Sequence, residues 1–238
     1  MKRSKLPWLT ARPIAHRGLH DRAQGRPENT LSAFSAAVQA GYAIECDLHP
    51  TADGVPVVFH DDDLGRLTGF AGCVRDRSAA DLRELRIAGT REGIPTLDQL
   101  LNLVGGRVPL VIELKHMPGR DSGFAKAVVE RLDAYQGPAA LMSFDAGLIA
   151  DIRAANPRLP RGLTAEGGWR AGLDHLRSAR RLEVDFISYS ITDLPNPAML
   201  LARTILGIPL ICWTVRTAAQ RAKAATWSDQ ITFEGFAP

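Results

Sequence analysis

The sequence predicts an α/β protein, a closed (β/α)8 barrel of the TIM type with a small insertion after the second strand. Short apolar runs alternate with longer segments of helical period along the chain, which is typical of parallel strands joined by crossover helices. A chain of 238 residues that is 45% hydrophobic can bury one full core, so we expect a single domain over residues 1–238. A doubly wound open sheet would give nearly the same pattern.

The short apolar runs are the predicted strands. Each is flanked by segments of helical period or by loops, so each is interpreted as one strand. In chain order they are PIAH near Ile14, AIECDL near Glu45, PLVIELK near Glu113, ALMSF near Met142, RGLT near Leu163, DFISY near Ile187, PLICWTV near Trp213 and QITFEG near Thr232.

The segments between these runs carry the helices. The first opens at PENTLSAFSAAVQAGY, where Asn29 is the expected N-cap and Gly41 the expected end. The later helices each place an apolar stripe beside charged residues. They are TLDQLLNLV, FAKAVVERLDAY, AGLIADIRAAN, WRAGLDHLRSARRL, PAMLLARTIL and TAAQRAKAATW.

One interval is longer than a crossover helix and its loops require. Residues 49–108 separate the second and third predicted barrel strands and contain GVPVVFHD, an extra extended segment, followed by several glycines. Long insertions are commonly functional, and the loops that follow barrel strands form the active face. We therefore expect a lobe at roughly 49–108, inserted over the barrel mouth.

Composition excludes several classes of protein. The net charge of +3, with 23% charged and 6% aromatic residues, favours neither disorder nor a nucleic-acid-binding tail. Three widely spaced cysteines argue against a disulfide framework or a zinc knuckle. No stretch reaches the roughly 20 apolar residues of a membrane span, and the basic start around Trp8 lacks the apolar run of a signal peptide. We expect a cytoplasmic protein with a frayed N-terminus and no stable membrane insertion.

Acidic side chains lie inside strands that otherwise look buried. Residues two apart in a strand share a face, so Glu45 and Asp47 point the same way, as do Glu113 and Lys115. Buried carboxylates repel one another and lose solvation unless a cation compensates. Oxygen ligands without thiolates suit Mg²⁺ or Ca²⁺, and the ligand type does not discriminate between these two ions.

Two histidines stand where an extended run meets a loop. His16 ends the first strand, and His60 precedes Asp61, which can orient its imidazole. Two imidazoles beside a metal fit phosphoester cleavage, one taking a proton and one giving it. Arg17 offers a planar fork for phosphate oxygens and Lys115 a point charge.

Four motifs together resemble the glycerophosphodiester phosphodiesterase family. They are AHRG at 15–18, PENT at 27–30, IECDLHPTADGVPVVFHD at 44–61 and IELK at 112–115, with looser likeness at SFD (143–145) and CWTV (212–215). The resemblance implies a (β/α)8 barrel with a small insertion after the second strand. It also implies hydrolysis of glycerophosphodiesters to glycerol 3-phosphate and an alcohol, with a divalent metal.

The resemblance assigns roles position by position. It implies that the metal ligands are Glu45, Asp47 and Glu113, that the acid–base pair is His16 and His60, that Arg17 and Lys115 hold phosphate, and that Trp213 covers the glycerol or belongs to the core. In PENT, Glu28 is expected to brace the site and Asn29 to cap the helix. His49 is expected to have no role.

The chain departs from the family at its end. TFEGFAP (232–238) stands where a Thr-Asp-x-Pro-like turn is common, which puts the substrate rim near the last strand in doubt. The sequence also allows two alternative functions: a lysophospholipase D acting on lysophospholipids, or a non-catalytic phosphate-binding barrel. The sequence does not decide whether water or the neighbouring glycerol hydroxyl attacks the phosphorus. It also leaves open the alcohol head group and the oligomeric state.

Overall fold

Eight parallel strands close into a barrel in the computed structural model, which describes residues 6–238. Closure is seen at the first strand, where Ile14 pairs with Ala43 on one side and with Thr232 on the other. The predicted closed barrel is therefore confirmed, and the alternative of a doubly wound open sheet is excluded. The strands are β1 (Ile14–Ala15), β2 (Ala43–Pro50), β3 (Pro56–Val58), β4 (Leu110–Leu114), β5 (Ala139–Ser143), β6 (Arg161–Ala165), β7 (Phe186–Ser190), β8 (Leu210–Val215) and β9 (Gln230–Phe233); β3 alone is antiparallel, pairing with β2.

Helices cover the outside of the barrel. Alternate strand residues such as Ile44, Cys46 and Leu48 pack outward into the apolar layer between strands and helices, so their neighbours in sequence point into the barrel. Every predicted strand and crossover helix is present. The helices are α1 (Pro7–Thr10), α2 (Leu31–Ala40), α3 (Gly65–Thr68), α4 (Ala79–Glu84), α5 (Leu97–Val104), α6 (Phe124–Asp133), α7 (Ala146–Ala155), α8 (Trp169–Arg181), α9 (Pro197–Thr204) and α10 (Ala218–Trp227), with 3₁₀ turns at Arg22–Gln24, Val74–Asp76 and Ile191–Asp193.

The start of α2 differs from the prediction. Thr30, not Asn29, is the N-cap, and its hydroxyl accepts the hydrogen bond of the Ala33 amide. Asn29 has a left-handed backbone with φ of 56°, and its side chain turns toward the barrel instead. Gly41 ends the helix as predicted, with φ of 73°.

The insertion after β2 comprises β3, α3, the Val74–Asp76 turn and α4, and the chain then enters α5. It has a small apolar cluster of its own, formed by Val57, Phe59, Leu64, Leu67, Val74, Leu82, Leu85, Ile87 and Ile94. Arg75 is buried within it and donates to the carbonyl of Lys115, 2.5 Å away, and to Asp121. The lobe is thus tied to the end of β4. That residues 1–238 form one domain stays a prediction.

The N-terminal end of the barrel is closed by α1 and the residue before it. Leu6 and Leu9 are buried against the inward-facing Ile14 and Ala43. Burying one Leu side chain stabilises a protein by about 1.5–3 kcal/mol, so the expectation of a frayed terminus is wrong for residues 6–10. Within residues 6–238, no helix has both the length and the apolar character needed to cross a membrane.

Candidate active site

One cavity opens at the carboxyl end of the barrel strands, with a volume of about 390 Å³. That volume is within the usual range for a small-molecule site. Its wall includes every side chain that the sequence predicted for catalysis, metal or substrate. These are His16 after β1, Arg17 beside it, Glu45 and Asp47 on β2, His60 after β3, Glu113 on β4, Lys115 after it, and Trp213 on β8.

The three carboxylates meet at one point in the barrel. β2 and β4 are in register with Asp47 opposite Glu113, and Glu45 lies one inward position deeper. Ligand oxygens of the three residues lie within 4.8 Å of one another, and all three side chains are buried. Burial and repulsion from the neighbouring acids raise the pKa of Glu45 well above its ordinary value and raise that of Glu113.

Asp47 is the carboxylate that remains firmly ionised. Burial opposes its charge, but Lys115 and Arg17 overcome that effect and hold the pKa of Asp47 well below its ordinary value. The Lys115 Nζ lies 2.9 Å from Asp47 Oδ1 and also contacts Glu113, while Arg17 Nε lies 3.4 Å from Asp47 Oδ2. These ion pairs raise the pKa of Lys115 despite its burial, so the ammonium stays charged.

The backbone of the AHRG motif also contributes a donor. Arg17 has a left-handed conformation with φ of 55°, which is uncommon for a residue with a side chain. This turn points its N–H at Glu45 Oε2, 2.9 Å away, while its guanidinium donates to Glu28 at 2.6 Å. Backbone strain of this kind is commonly found at functional sites.

The acid cluster fits a hard divalent cation. It offers only carboxylate oxygens, and Cys46, the thiol nearest in sequence, packs on the outer face of β2. The raised pKa of Glu45 reflects the cost of gathering three anions in one buried place, and a dication offsets that cost. Oxygen donors of this type suit Mg²⁺ or Ca²⁺.

Each histidine of the cavity has a carboxylate on its Nδ1 atom. His60 Nδ1 lies 2.6 Å from Asp61 Oδ1, the contact that the sequence predicted. His16 Nδ1 lies 2.5 Å from Glu234 Oε2. Burial lowers the pKa of both imidazoles, and the partner carboxylates oppose that effect. In both rings Nε2 is the nitrogen left for other chemistry.

Sequence reasoning missed three polar residues at this site. Asn29 Nδ2 donates to Asp47 Oδ2 at 2.9 Å, so the residue expected to cap a helix holds a carboxylate instead. Glu234 belongs to the TFEGFAP segment, for which the sequence predicts a departure from the family but no contact with His16. His49, for which no role is expected, lies outside the cavity wall, but its buried ring lies 3.1 Å from the His60 carbonyl and accepts a bond from Arg75 at 3.3 Å, so it supports the loop that carries His60.

Two further side chains have the surroundings that the sequence suggested. Glu28 contacts both Arg17 and Arg66, so it braces the site from outside the cavity wall. Trp213 lies partly exposed on that wall, with Phe144 edge-on at 5.6 Å and its indole N–H donating to the Ser188 carbonyl at 3.2 Å.

Comparison with known proteins gives one consistent answer. A glycerophosphodiester phosphodiesterase of Caldanaerobacter subterraneus subsp. tengcongensis is 33% identical over 169 residues, covering 65% of this chain and 67% of the relative. The structure of an Oleispira antarctica phosphodiesterase in complex with the product sn-glycerol-3-phosphate superposes with a TM-score of 0.81 at 25% identity, covering 95% and 94% of the two chains. The glycerophosphodiester phosphodiesterase of Thermotoga maritima shares the fold, with a TM-score of 0.76, 24% identity and 92% coverage of each chain. Residues 16–235 match the model of the glycerophosphoryl diester phosphodiesterase family, so the chain belongs to that family of phosphoric diester hydrolases.

Proposed function

We propose that this protein hydrolyses glycerophosphodiesters to sn-glycerol 3-phosphate and an alcohol, using one divalent cation, Mg²⁺ or Ca²⁺. The observation that carries the proposal is a cavity whose wall gathers three carboxylates, two imidazoles and the charged side chains of Arg17 and Lys115, all on or shortly after β1, β2, β3 and β4. The Oleispira relative with sn-glycerol-3-phosphate bound supports the substrate class. A small-molecule partner, no nucleic acid and a cytoplasmic location belong to the same proposal.

The acid cluster is the proposed metal site, with Glu45, Asp47 and Glu113 as ligands. A dication held by these three residues would polarise phosphoryl oxygens and would offset negative charge that develops in the transition state. Asn29 and the Arg17 amide each donate to one of these carboxylates, which fixes their orientation before anything binds.

Arg17 and Lys115 are the proposed phosphate-binding residues. Both are charged and largely buried, and Lys115 lies against Asp47 and Glu113 at the cavity wall. Fixed cations of this kind stabilise the added negative charge of the transition state without reorganising. Trp213 is proposed to cover the glycerol portion, since it faces the same cavity from the opposite side of the barrel.

His16 and His60 are the proposed acid–base pair. Their Nδ1 atoms are held by Glu234 and Asp61, so Nε2 of one ring can take the proton of the attacking hydroxyl while Nε2 of the other protonates the departing alkoxide. The attacking oxygen belongs to water or to the neighbouring glycerol hydroxyl, and the second route passes through a cyclic phosphate.

The test is an assay of purified protein against a panel of glycerophosphodiesters, with glycerol 3-phosphate as the readout. Chelation should abolish turnover, and Mg²⁺ or Ca²⁺ should restore it. His16→Ala and His60→Ala should each lower turnover by about 10²–10⁴, while His175→Ala, whose ring packs on Tyr189 outside the cavity, should not. Wild-type rates in both cavity variants would contradict the assigned roles. Metal-insensitive ligand binding without turnover would favour a non-catalytic barrel.

A lysophospholipase D is the second candidate. Phe144 is 47% exposed at the cavity and meets Trp213 edge-on, and such an aromatic pair suits an apolar portion of a substrate. Comparing the turnover of glycerophosphocholine with that of lysophosphatidylcholine decides between the two, and preference for the lysolipid would replace the first proposal.

A further inference from the structure

The chain end after β9 places one carboxylate next to a proposed catalytic histidine. β9 is in register with β1, with Phe233 opposite Ala15, and the His16 amide donates to the Phe233 carbonyl at 2.9 Å. The next residue, Glu234, follows β9 directly, and its backbone N–H donates to the Val215 carbonyl at 3.1 Å. Glu234 is therefore fixed at the position adjoining His16.

An aromatic anchor holds this segment. Phe233 is 1% exposed and packs edge-on against Tyr42 at 4.9 Å and against Phe236 at 5.7 Å. Gly235, between the two phenylalanines in sequence, has φ of 79°, a conformation that favours glycine. The FEGF sequence thus turns the chain so that both rings are buried or packed while the Glu234 side chain faces the cavity residues.

Both oxygens of Glu234 are engaged. Oε2 lies 2.5 Å from His16 Nδ1 and 3.6 Å from His20 Nε2, and Oε1 accepts from Arg216 Nε at 2.6 Å. Burial opposes its ionisation, but the hydrogen bonds with His16 and Arg216 and the nearby His20 ring hold the pKa of Glu234 well below its ordinary value. A carboxylate only accepts hydrogen bonds, so the shared proton belongs on His16 Nδ1.

We propose that Glu234 is a positioning residue for His16. It keeps the proton on Nδ1 and fixes the ring plane, so that Nε2, 3.9 Å from Glu45 Oε2, faces the acid cluster. The proposal deepens the proposed function and rests on it for the catalytic consequence, whereas the pairing itself stands on geometry. It also gives TFEGFAP a role.

The opposite histidine has a comparable arrangement. His60 is held by Asp61, which is itself tied to Arg66 at 2.5 Å, just as Glu234 is tied to Arg216. In each case an arginine forms an ion pair with the carboxylate. The carboxylate therefore binds the imidazole without adding an unpaired negative charge to the cavity. The two carboxylates differ in their position in the sequence: Asp61 follows His60 directly, whereas Glu234 lies 218 residues from His16.

The experiment combines a double-mutant cycle with a spectroscopic measurement. Glu234→Ala should lower kcat at least tenfold, up to the loss caused by His16→Ala, about 10²–10⁴, with KM changed less than about threefold. In the His16→Ala background the same substitution should have no further effect on kcat, because the proposed effect of Glu234 on turnover passes through that ring. Glu234→Gln, which keeps an acceptor but no charge, should be intermediate. Glu130→Ala, which removes an exposed carboxylate on α6, is the matched control and should leave kcat unchanged.

Ring ¹⁵N chemical shifts report the tautomer directly. The protein has six histidines, and the signals missing from His16→Ala identify the ring concerned. In the wild type they should show a proton on Nδ1 and a bare Nε2, and in Glu234→Ala a mixture of tautomers. A wild-type protein without phosphodiesterase turnover would refute the proposed function, and these shifts would still test the pairing. Unchanged shifts in Glu234→Ala, or an equal loss of kcat in the two backgrounds, would overturn the proposal, and circular dichroism verifies that each variant is folded.

Discussion

Chelation of divalent cations should lower the melting temperature of this protein, and Glu45→Gln should remove that response while leaving the metal-free fold as stable or more so. The folded-state pKa of Glu45 is raised, chiefly by burial and by repulsion from Asp47 and Glu113, so the folded state prefers the protonated acid. At neutral pH the ionised form therefore destabilises the metal-free fold. Gln mimics the protonated form, and its amide oxygen can still accept the Arg17 N–H.

The magnitude follows from linkage. A cation that binds only the folded state stabilises it by about 2.7 kcal/mol at 100 times its dissociation constant. For a chain of 238 residues each kcal/mol raises the melting temperature by about 2–4 °C, so saturation should raise it by about 5–11 °C. Glu45→Gln removes one of the three clustered carboxylates, and most of this rise should disappear.

Differential scanning fluorimetry measures both effects, with protein dialysed against EDTA and then titrated with Mg²⁺ or Ca²⁺. Asp98→Asn is the matched control: its carboxylate is half-exposed on α5 and pairs only with Arg131, at 3.2 Å, among the ion pairs of residues 6–238. That variant should keep the full metal response. An equal rise in Glu45→Gln and the wild type would show that the cation binds elsewhere, and no rise in the wild type at millimolar cation would refute the metal site.

Other predictions concern the groups around the cluster. Lys115→Met leaves Asp47 and Glu113 without their shared cation, so the metal-free protein should lose about 3–5 kcal/mol of unfolding free energy in urea. Asn29→Ala removes a donor to Asp47 and should lose about 1–3 kcal/mol in the same measurement. His49 is buried, and burial lowers its pKa to about 4, so the folded state prefers the neutral ring; stability should fall as pH drops from 6.5 toward 4, by up to about 3 kcal/mol. Melting temperatures between pH 7 and pH 4 should therefore decline less steeply in His49→Gln than in the wild type.

The barrel and the residues of the cavity wall could be predicted because both depend on local pattern. Alternation along β2 and β4 places Glu45, Asp47 and Glu113 on the inner face, and parallel strands bring their carboxyl ends to one edge. The sequence could not choose between a barrel and an open sheet from the runs themselves, since only the pairing of β1 with β9 separates them. The family resemblance supplied that choice.

The site contacts that the sequence did not predict join residues that are far apart along the chain. Asn29 and Thr30 are both common cap residues, and what selects Thr30 is the bond from Asn29 to Asp47, 18 residues away. His49 is held between the His60 carbonyl and Arg75, and both contacts arise only when the lobe folds. The Glu234 bond to His16 spans 218 residues, a separation at which no periodicity or spacing rule operates.

The contact of Glu234 with His16 belongs to a set of ion pairs that determines the charge around the site. Three buried carboxylates face the charged side chains of Arg17 and Lys115, so ionisation of all three leaves one negative charge unpaired, which the proposed dication would offset. The carboxylates that hold the histidines would add to that excess, but each is neutralised by an arginine outside the cluster. The pairs are Asp61 with Arg66 and Glu234 with Arg216, and Glu28 further links Arg17 to Arg66. The imidazoles are therefore oriented by charged carboxylates that add no unpaired charge beside the acid cluster, the proposed metal site. A substitution of Arg66 or Arg216 should therefore disturb the orientation of His60 or His16 more than it disturbs metal binding.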